Sequence, residues 1–446
     1  MSDNSHVIKP LLGKSYPTAA YGRGVYIYDT NGRAYLDGCS GAVTANIGHG
    51  VQEIIQAMQT QAARISFTYR SQFTSEAAEA LGAKLAQWAP GDLEYVFFVN
   101  SGSEATETAL KIALQYWQEQ GRSEKRIVLS RWMSYHGITL GALSMSGHVL
   151  RRKRFVPLLE DWPVVEPPYC YRCPLGKMYP SCKLACADGL EAALQRIGPD
   201  YVAAFIAEPI IGASGGAVTP PPGYYERIRE ICDRYEILFI ADEVMTGNGR
   251  TGKAFGIDHW GVVPDLMALG KGMSAGYTPI AATLVSARLI EVIQNGSRSI
   301  MAGHTFSANP QSAAIALAVM DYIEANDLIA QAAEHGKQLR AGLEKLAQAH
   351  ELIGDVRGKG LLCGLEFVRD RITKTPYPLQ ACVTERVIEA AMRQGLLVYS
   401  AAGAINGQAG DSVIVAPPFT STSDEIELLL ERLNQALVDA VAEISK

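Results

Sequence analysis

The chain has 446 residues, of which 48% are apolar and 19% charged, with a formal net charge of -6 at pH 7. This is the composition of a globular protein large enough for two or three lobes, and it gives no electrostatic reason to expect nucleic acid as a partner. The opening residues MSDNSHVIKP lack the apolar core of a signal peptide and no later apolar run is long enough to span a bilayer, so no membrane is expected and the expected compartment is the cytoplasm.

In chain order, the first recognisable unit is GRGVYIYDTNGRAYLD, which reads as an antiparallel hairpin turning at Asn31-Gly32. From about residue 95 to 290, the runs YVFFV, RIVLS, YVAAFIAEP, ILFIADEV, DLMALGKG and PIAATLVS alternate with helix-length segments. That alternation predicts a mostly parallel sheet covered on both faces. Within this region RRKR, Arg151 to Arg154, reads as a solvated turn. Alanine-rich helices follow, then LLCGLEFV and LLVYS as further strands. Thr422 and Glu425 predict a capping box for a last helix in which Ile426, Leu429, Leu430, Leu433, Leu437 and Val441 recur at helical spacing. The expected class is α/β. Residues 66–325 form a large domain with a mostly parallel sheet between helices, and residues 1–65 and 326–446 together form a smaller α+β domain.

In such sheets ligands bind beyond the carboxyl ends of the strands, so the polar residues that end the apolar runs come first. YVFFVN leads into Ser101-Gly102-Ser103-Glu104 and a helix, AAFIAEP ends in Glu208, LFIADEV holds Asp242 and LMALGKG holds Lys271. Small residues at a helix start expose backbone N–H groups at the positive end of the helix dipole, which suits a phosphate. A plain capping box of Ser101 with Glu104 is the alternative. Asp242, at the end of an apolar strand, needs a cationic partner, and a protonated pyridine nitrogen is one; capping the next turn is the other reading. Lys271 between two glycines suits a desolvated amine that attacks aldehydes, or else a lysine whose stem runs along the sheet edge. A phosphate cradle, an acid for a pyridinium and a nucleophilic lysine together describe pyridoxal phosphate, as none of them does alone.

With these residues in view, AEPIIGASGGAVTPPPGYY, ADEVMTGNGRTG, LGKGMSAGYTPIAA and HTFSANP resemble the class III (omega) aminotransferases, a group of the fold type I pyridoxal-phosphate enzymes. The resemblance runs from about Tyr16 to the final helix. It implies that Lys271 links to the cofactor aldehyde and later moves the substrate proton, and that Asp242 pairs with the pyridine nitrogen. It further implies that Val244 packs on one ring face and Tyr135 on the other with His136 beside it, and that Glu208 supports the network around Asp242. Gly102 and Ser103 would hold the phosphate together with Thr305 of the partner subunit, so a homodimer is expected. The implied reaction moves an amino group from an amine donor to a keto-acid acceptor. An aminomutase or decarboxylase built on the same apparatus, and a non-enzymatic metal-binding protein on a decayed frame, are the rival readings; intact Lys271 and Asp242 argue against decay.

Two departures bear on substrate. Where many relatives have an Arg before the C-terminal Pro-Pro, this chain has Ile414, and where many glutamate users have Gln after DEV, it has Met245. A thioether cannot donate as an amide does. Both changes favour an omega-amino acid, diamine or simple amine with pyruvate over glutamate with 2-oxoglutarate, and leave Arg70, a mobile loop or main chain to take a substrate carboxylate. Phe67, Tyr69 and the Ser40-Gly41-Ala42 stretch, with Ala42 at its end, are expected to shape the substrate pocket, or else to be packing residues.

Residues 168–187 hold four of the eight cysteines, Cys170, Cys173, Cys182 and Cys186, at C-x2-C-x8-C-x3-C spacing and outside every cofactor motif. Two close pairs of thiols on one loop predict a tetrathiolate site, a 4Fe-4S cluster first and zinc as the alternative, with two disulfides or four free thiols as rivals. The remaining cysteines, Cys39, Cys232, Cys363 and Cys382, read as small core residues.

Overall fold

The computed structural model describes residues 5–444. Its centre is a seven-stranded sheet in the order β4-β10-β9-β8-β7-β5-β6, built from β4 (Tyr95–Val99), β5 (Ile127–Arg131), β6 (Val164–Val165), β7 (Val202–Ala207), β8 (Leu238–Asp242), β9 (Leu266–Leu269) and β10 (Ala281–Val285). β10 runs antiparallel to both neighbours and every other pairing is parallel. Every residue of β7, β8, β9 and β10 is buried, because helices cover both faces. Alternation along the strands sorts the two faces. Phe205 and Phe239, stacked at 6.3 Å, join Leu190, Leu194, Tyr225 and Ile228 of the helices Ala185–Ile197 and Tyr224–Arg234. Ala204, Ile206 and Ile240 join Ala109, Ile112 and Tyr116 of the helix Gly102–Glu119 on the other side. The carboxyl ends of β4, β5, β7, β8 and β9 consequently share one edge.

Two smaller sheets flank this body. One has the order β1-β2-β3-β13, from β1 (Ala19–Arg23), β2 (Tyr26–Asp29), β3 (Ala34–Asp37) and β13 (Leu396–Leu397). The other has the order β11-β12-β15-β14, from β11 (Ile353–Lys359), β12 (Leu362–Phe367), β14 (Tyr399–Ser400) and β15 (Asp411–Val415). The hairpin expected at Asn31-Gly32 joins β2 to β3; Gly32 adopts φ +80°, and the Asp29 carboxylate accepts from the N–H groups of Asn31 and Arg33, both at 2.9 Å. Leu396 pairs in parallel with Leu36, so the two ends of the chain share a sheet and one core, in which Leu36 and Ile47 meet Leu365, Leu396 and Leu433. The run LLVYS is not a single strand as its sequence predicts. It is shared between two sheets, with Leu396 paired to β3 and Tyr399 to Ile414 of β15.

The last helix, Ser423–Ile444, starts as expected: Thr422 N donates to Glu425 Oε2 at 2.9 Å and Glu425 N to Thr422 Oγ1 at 3.2 Å. Arg250, fully buried, fastens the body to its flank, donating to Pro417 O at 2.7 Å, Leu361 O at 3.0 Å, Asn46 Oδ1 at 2.7 Å and Ser40 Oγ at 3.1 Å. Among the described residues no helix is long and apolar enough to cross a membrane.

Candidate active site

The loops that leave the shared strand edge enclose a cavity of about 230 Å³. Gly102 and Ser103 reach it from the end of β4, Tyr135 and His136 from β5, Glu208 from β7, Asp242 and Val244 from β8 and Lys271 from β9. These are the cofactor residues expected from the sequence, with the exception of Thr305.

Asp242 is 3% exposed and His136 2% exposed, and His136 Nδ1 lies 2.7 Å from Asp242 Oδ2. The other carboxylate oxygen accepts from Val244 N at 3.1 Å, so Asp242 does cap the next turn, as the alternative sequence reading has it, beside a histidine contact which that reading did not include. His136 is itself held by its backbone: its N–H donates to Ser146 Oγ at 2.8 Å and its carbonyl accepts from Thr106 Oγ1 at 2.7 Å. Glu208 accepts from Tyr135 N at 3.0 Å and from Gly212 N at 2.8 Å. Burial pushes its carboxyl above the ordinary value and the Asp242 charge adds to that, against the opposing pull of His136 and the two N–H donors. Behind it, buried Arg131 donates to Glu208 O at 2.6 Å and to the Tyr225 hydroxyl at 3.1 Å.

Lys271 follows β9 in a left-handed conformation, φ +43°, which a side chain rarely adopts and which persists where the surroundings over-determine it. The next residue, Gly272, is packed so tightly that a Cβ there would stand 1.9 Å from Asn46 Nδ2. Burial lowers the Lys271 amine below its ordinary value; Asp242 and Glu208 oppose this and the Arg151 charge reinforces it. A lowered amine is a better nucleophile toward an aldehyde at neutral pH.

At the start of the helix Gly102–Glu119, Ser101 Oγ accepts from Glu104 N at 3.3 Å, but Glu104 Oε2 accepts from Asn100 N at 2.7 Å, so the cap forms without the reciprocal half of the expected box. It leaves the N–H groups of Gly102 and Ser103 without a hydrogen-bond partner among the described residues, facing the cavity at the positive end of the helix. A Cβ on Gly102 would come within 2.7 Å of Val244 Cγ1, so the wall admits only glycine without a shift. Free donors, a carboxylate oriented by histidine, an aromatic ring and an amine of lowered basicity around one cavity fit pyridoxal phosphate in donor set and in chemistry.

Several residues expected at the substrate lie elsewhere in this chain. Phe67 and Tyr69 line a separate surface cavity, and Phe67 meets Phe306 edge-on at 5.7 Å. Arg70 donates to Ala302 O and lies 5.2 Å over the Phe97 ring. Ala42 is exposed in the short turn Ser40–Val43, and Thr305 is exposed. Ile414 is fully buried in β15, while Met245 does line the cavity, packed against Gly212. Four lining residues escaped the sequence reading, Gly137, Ala213, Tyr399 and Arg151. Tyr399 arrives through the division of LLVYS between sheets, and Arg151, exposed as the reading of RRKR as a solvated turn has it, also lays its guanidinium 4.4 Å from the centre of the Tyr135 ring. No periodicity marks either one.

The four-cysteine loop stands apart from this cavity. All four thiols are free; Cys170 is exposed and Cys173, Cys182 and Cys186 are partly buried. They lie close enough to influence one another: burial first, then the neighbouring thiols, push Cys170 up and Cys186 up to about 11. The expected metal geometry is nevertheless not formed, because among the described residues no three His, Cys, Asp or Glu side chains are grouped so as to hold a metal ion. The loop is fastened by other chemistry. Tyr169 and Arg172 both donate to buried Glu366, Arg172 Nε at 2.5 Å, and Lys374 Nζ donates to Tyr171 O at 2.6 Å.

The sequence profile of the family Aminotransferase class-III matches residues 15–437. The chain belongs to the class III aminotransferases. This class III aminotransferase is 50% identical over 443 residues to the uncharacterized aminotransferase YodT of Bacillus subtilis, covering 99% of this chain and 100% of the relative. It is 36% identical over 420 residues to adenosylmethionine-8-amino-7-oxononanoate aminotransferase of Geobacter sulfurreducens, covering 93% and 90% of the two chains. Among solved structures it superposes with a TM-score of 0.91 on a thermostable (S)-enantioselective omega-transaminase from Thermomicrobium roseum, at 35% identity over 98% of this chain and 96% of that one. It does so equally well, at 0.91, on the omega transaminase of Pseudomonas jessenii in complex with PMP, at 34% identity over 96% and 94%. The fold is therefore that of the fold type I pyridoxal-phosphate transferases, and the activity is amino transfer.

Proposed function

We propose that this aminotransferase moves an amino group from an omega-amino acid, diamine or simple amine to a keto acid, pyruvate in the first place. The observation that carries the proposal is the meeting of the Lys271 amine with the His136–Asp242 pair and the free N–H groups of Gly102 and Ser103 in one cavity. When bound, pyridoxal phosphate supplies an aldehyde carbon and an electron-withdrawing ring. Gly102 and Ser103 hold its phosphate, Val244 and Tyr135 hold the ring, and Asp242, aimed by His136, holds a proton at the ring nitrogen. Glu208 keeps the Tyr135 backbone in place. Lys271 would link to the cofactor aldehyde and, when a donor amine has taken its place, would carry the proton between the donor's amine-bearing carbon and the former aldehyde carbon, two bonds away. Met245 in the cavity wall and buried Ile414 support a donor and acceptor other than glutamate and 2-oxoglutarate.

The active unit is read as a homodimer, with Thr305 serving the neighbouring cavity; Phe67, Tyr69, Arg70 and Ala42, expected at the substrate, do not line the cavity of this chain. What supports this is an apolar surface around those residues. Phe67, Tyr69, Phe73, Met301 and Phe306 are 40–84% exposed, and Asn309 Nδ2 donates to Ser66 O at 2.9 Å to hold the two segments together. A cytoplasmic location is supported by free thiols at all eight cysteines. The division into a large domain, 66–325, and a small one from both ends, 1–65 and 326–446, is followed only in part by the apolar cores, since the first takes in Val43, Leu362 and Ile414 and the second Ala275, Ile315 and Val319.

Borohydride reduction of the protein loaded with pyridoxal phosphate, followed by peptide mapping, tests the core of this reading: the label belongs on Lys271, and a label elsewhere refutes it. Pyruvate and 2-oxoglutarate, each offered with a panel of amines, then separate the alternatives. Alanine formation supports the transaminase, carbon dioxide release a decarboxylase, an isomeric amine an aminomutase, and no product a binding protein. A metal on Cys170, Cys173, Cys182 and Cys186 is a separate reading that rests on their C-x2-C-x8-C-x3-C spacing alone. Analysis of anaerobically purified protein decides it: iron with sulfide supports a 4Fe-4S cluster, zinc supports a zinc site, and metal-free protein ends the idea.

A further inference from the structure

We infer that Arg151 receives the carboxylate of the substrates, and so selects amines that carry an acidic group and keto-acid acceptors over plain amines. The inference rests on the aminotransferase reading and deepens it. Arg151 belongs to the short turn Val149–Arg152 and lines the cavity that holds Lys271, Asp242 and Met245. Its guanidinium rests on the Tyr135 ring at 4.4 Å, an aromatic platform that fixes the plane of the fork. Among the described residues it makes no ion pair, although two carboxylates share the cavity. Both are already engaged, Asp242 with His136 and Val244 N, Glu208 with the N–H groups of Tyr135 and Gly212. A cation without a counter-charge at the mouth of a reactive cavity is suited to an anion brought by the substrate, and a guanidinium fork matches a carboxylate with two parallel bonds. The other candidates are occupied or absent: Arg70 is committed to Ala302 O and the Phe97 ring, and Ile414 is a buried apolar side chain.

The test compares wild type, Arg151→Ala and Arg151→Lys, each loaded with pyridoxal phosphate, in two ways. In the first, the donor half-reaction is followed by cofactor absorbance with 4-aminobutanoate and with butylamine. The ratio of the two kcat/KM values falls about ten- to hundredfold in Arg151→Ala, as loss of a charged hydrogen-bonded pair implies, and recovers in part in Arg151→Lys. In the second, propanoate is titrated into the resting enzyme and its Kd rises about tenfold or more in Arg151→Ala. An unchanged ratio with an unchanged Kd overturns the inference. So does an equal loss on both amines with an unchanged Kd, which assigns Arg151 to the support of Tyr135 alone. Should the wild type transfer neither amine, the failure belongs to the aminotransferase reading, and the propanoate titration decides the role of Arg151 by itself.

Discussion

His136 and Asp242, 106 residues apart in the chain, meet at 2.7 Å between Nδ1 and Oδ2 with almost no solvent on either. A buried carboxylate held in one orientation is a fixed electrostatic partner, whose value lies in not having to reorganise. Asp242→Asn is expected to lower kcat/KM for amine transfer by on the order of a hundredfold or more, as loss of a positioned proton partner does. His136→Ala is expected to cost less, because Val244 N still orients the carboxylate. The double variant will fall short of the summed losses, with a coupling of about 0.5–3 kcal/mol in a double-mutant cycle.

Lys271 gives a pH prediction. Its folded-state value lies below the ordinary 10.5, with burial as the leading cause. The neutral amine is therefore available at lower pH than on a free lysine, and the rate at which cofactor-free protein captures pyridoxal phosphate will rise with pH to a midpoint below 10.5. A midpoint at or above that value refutes the burial argument. Linkage gives the sign for stability. The unfolded chain binds the extra proton between the lowered value and 10.5, so this group makes the cofactor-free protein more stable as pH rises through that window.

The contact between Gly102 and Val244 yields a paired test. Gly102→Ala places a methyl group 2.7 Å from Val244 Cγ1, in a helical position where alanine carries no backbone strain. The Kd for pyridoxal phosphate is expected to rise by about tenfold, about 1.4 kcal/mol. Adding Val244→Ala relieves the clash and restores part of the affinity, measured by absorbance titration. A single variant that binds as tightly as wild type would show that the wall yields freely.

Glu366 anchors the four-cysteine loop to the C-terminal sheet. Burial alone would raise its carboxyl; the Arg357 guanidinium at 2.7 Å, with Tyr169 and Arg172, outweighs burial and holds it below the ordinary 4.5. Glu366→Gln leaves buried Arg357 with Asp355, at 2.7 Å, as its one remaining carboxylate, and is expected to destabilise the protein by about 1–3 kcal/mol at neutral pH. The contribution of a lowered carboxyl is complete above 4.5 and disappears as pH falls through its folded value. Urea unfolding curves of variant and wild type should therefore converge under acid conditions and differ most near neutrality.

What was legible in the sequence follows from how each signal is carried. Strands covered on both faces must be apolar along their whole length, so β7, β8 and β9 stood out, and the polar residue ending each one pointed to the cavity. The partner of Asp242 was harder to see: His136 was in view, but a pairing across 106 residues is set by the sheet order, which no local pattern encodes. Arg151 illustrates the same limit, since RRKR has the composition of a surface turn and only tertiary packing shows one of its four side chains to be stacked on Tyr135. For the cysteines the spacing fixed how far the thiols could reach, not where they would point. Val165 pairs the loop's start to the sheet edge and Glu366 takes up its two polar side chains, so the loop is positioned without sulfur.

Arg250 carries a consequence for how the chain can be divided. Its four acceptors come from residues 40, 46, 361 and 417, two ahead of the cofactor-binding core and two behind it. A fragment trimmed to that core would expose a guanidinium whose every ligand had been cut away. Excision of the core therefore removes this fastening, whereas a circular permutant, which keeps every residue, retains all four acceptors.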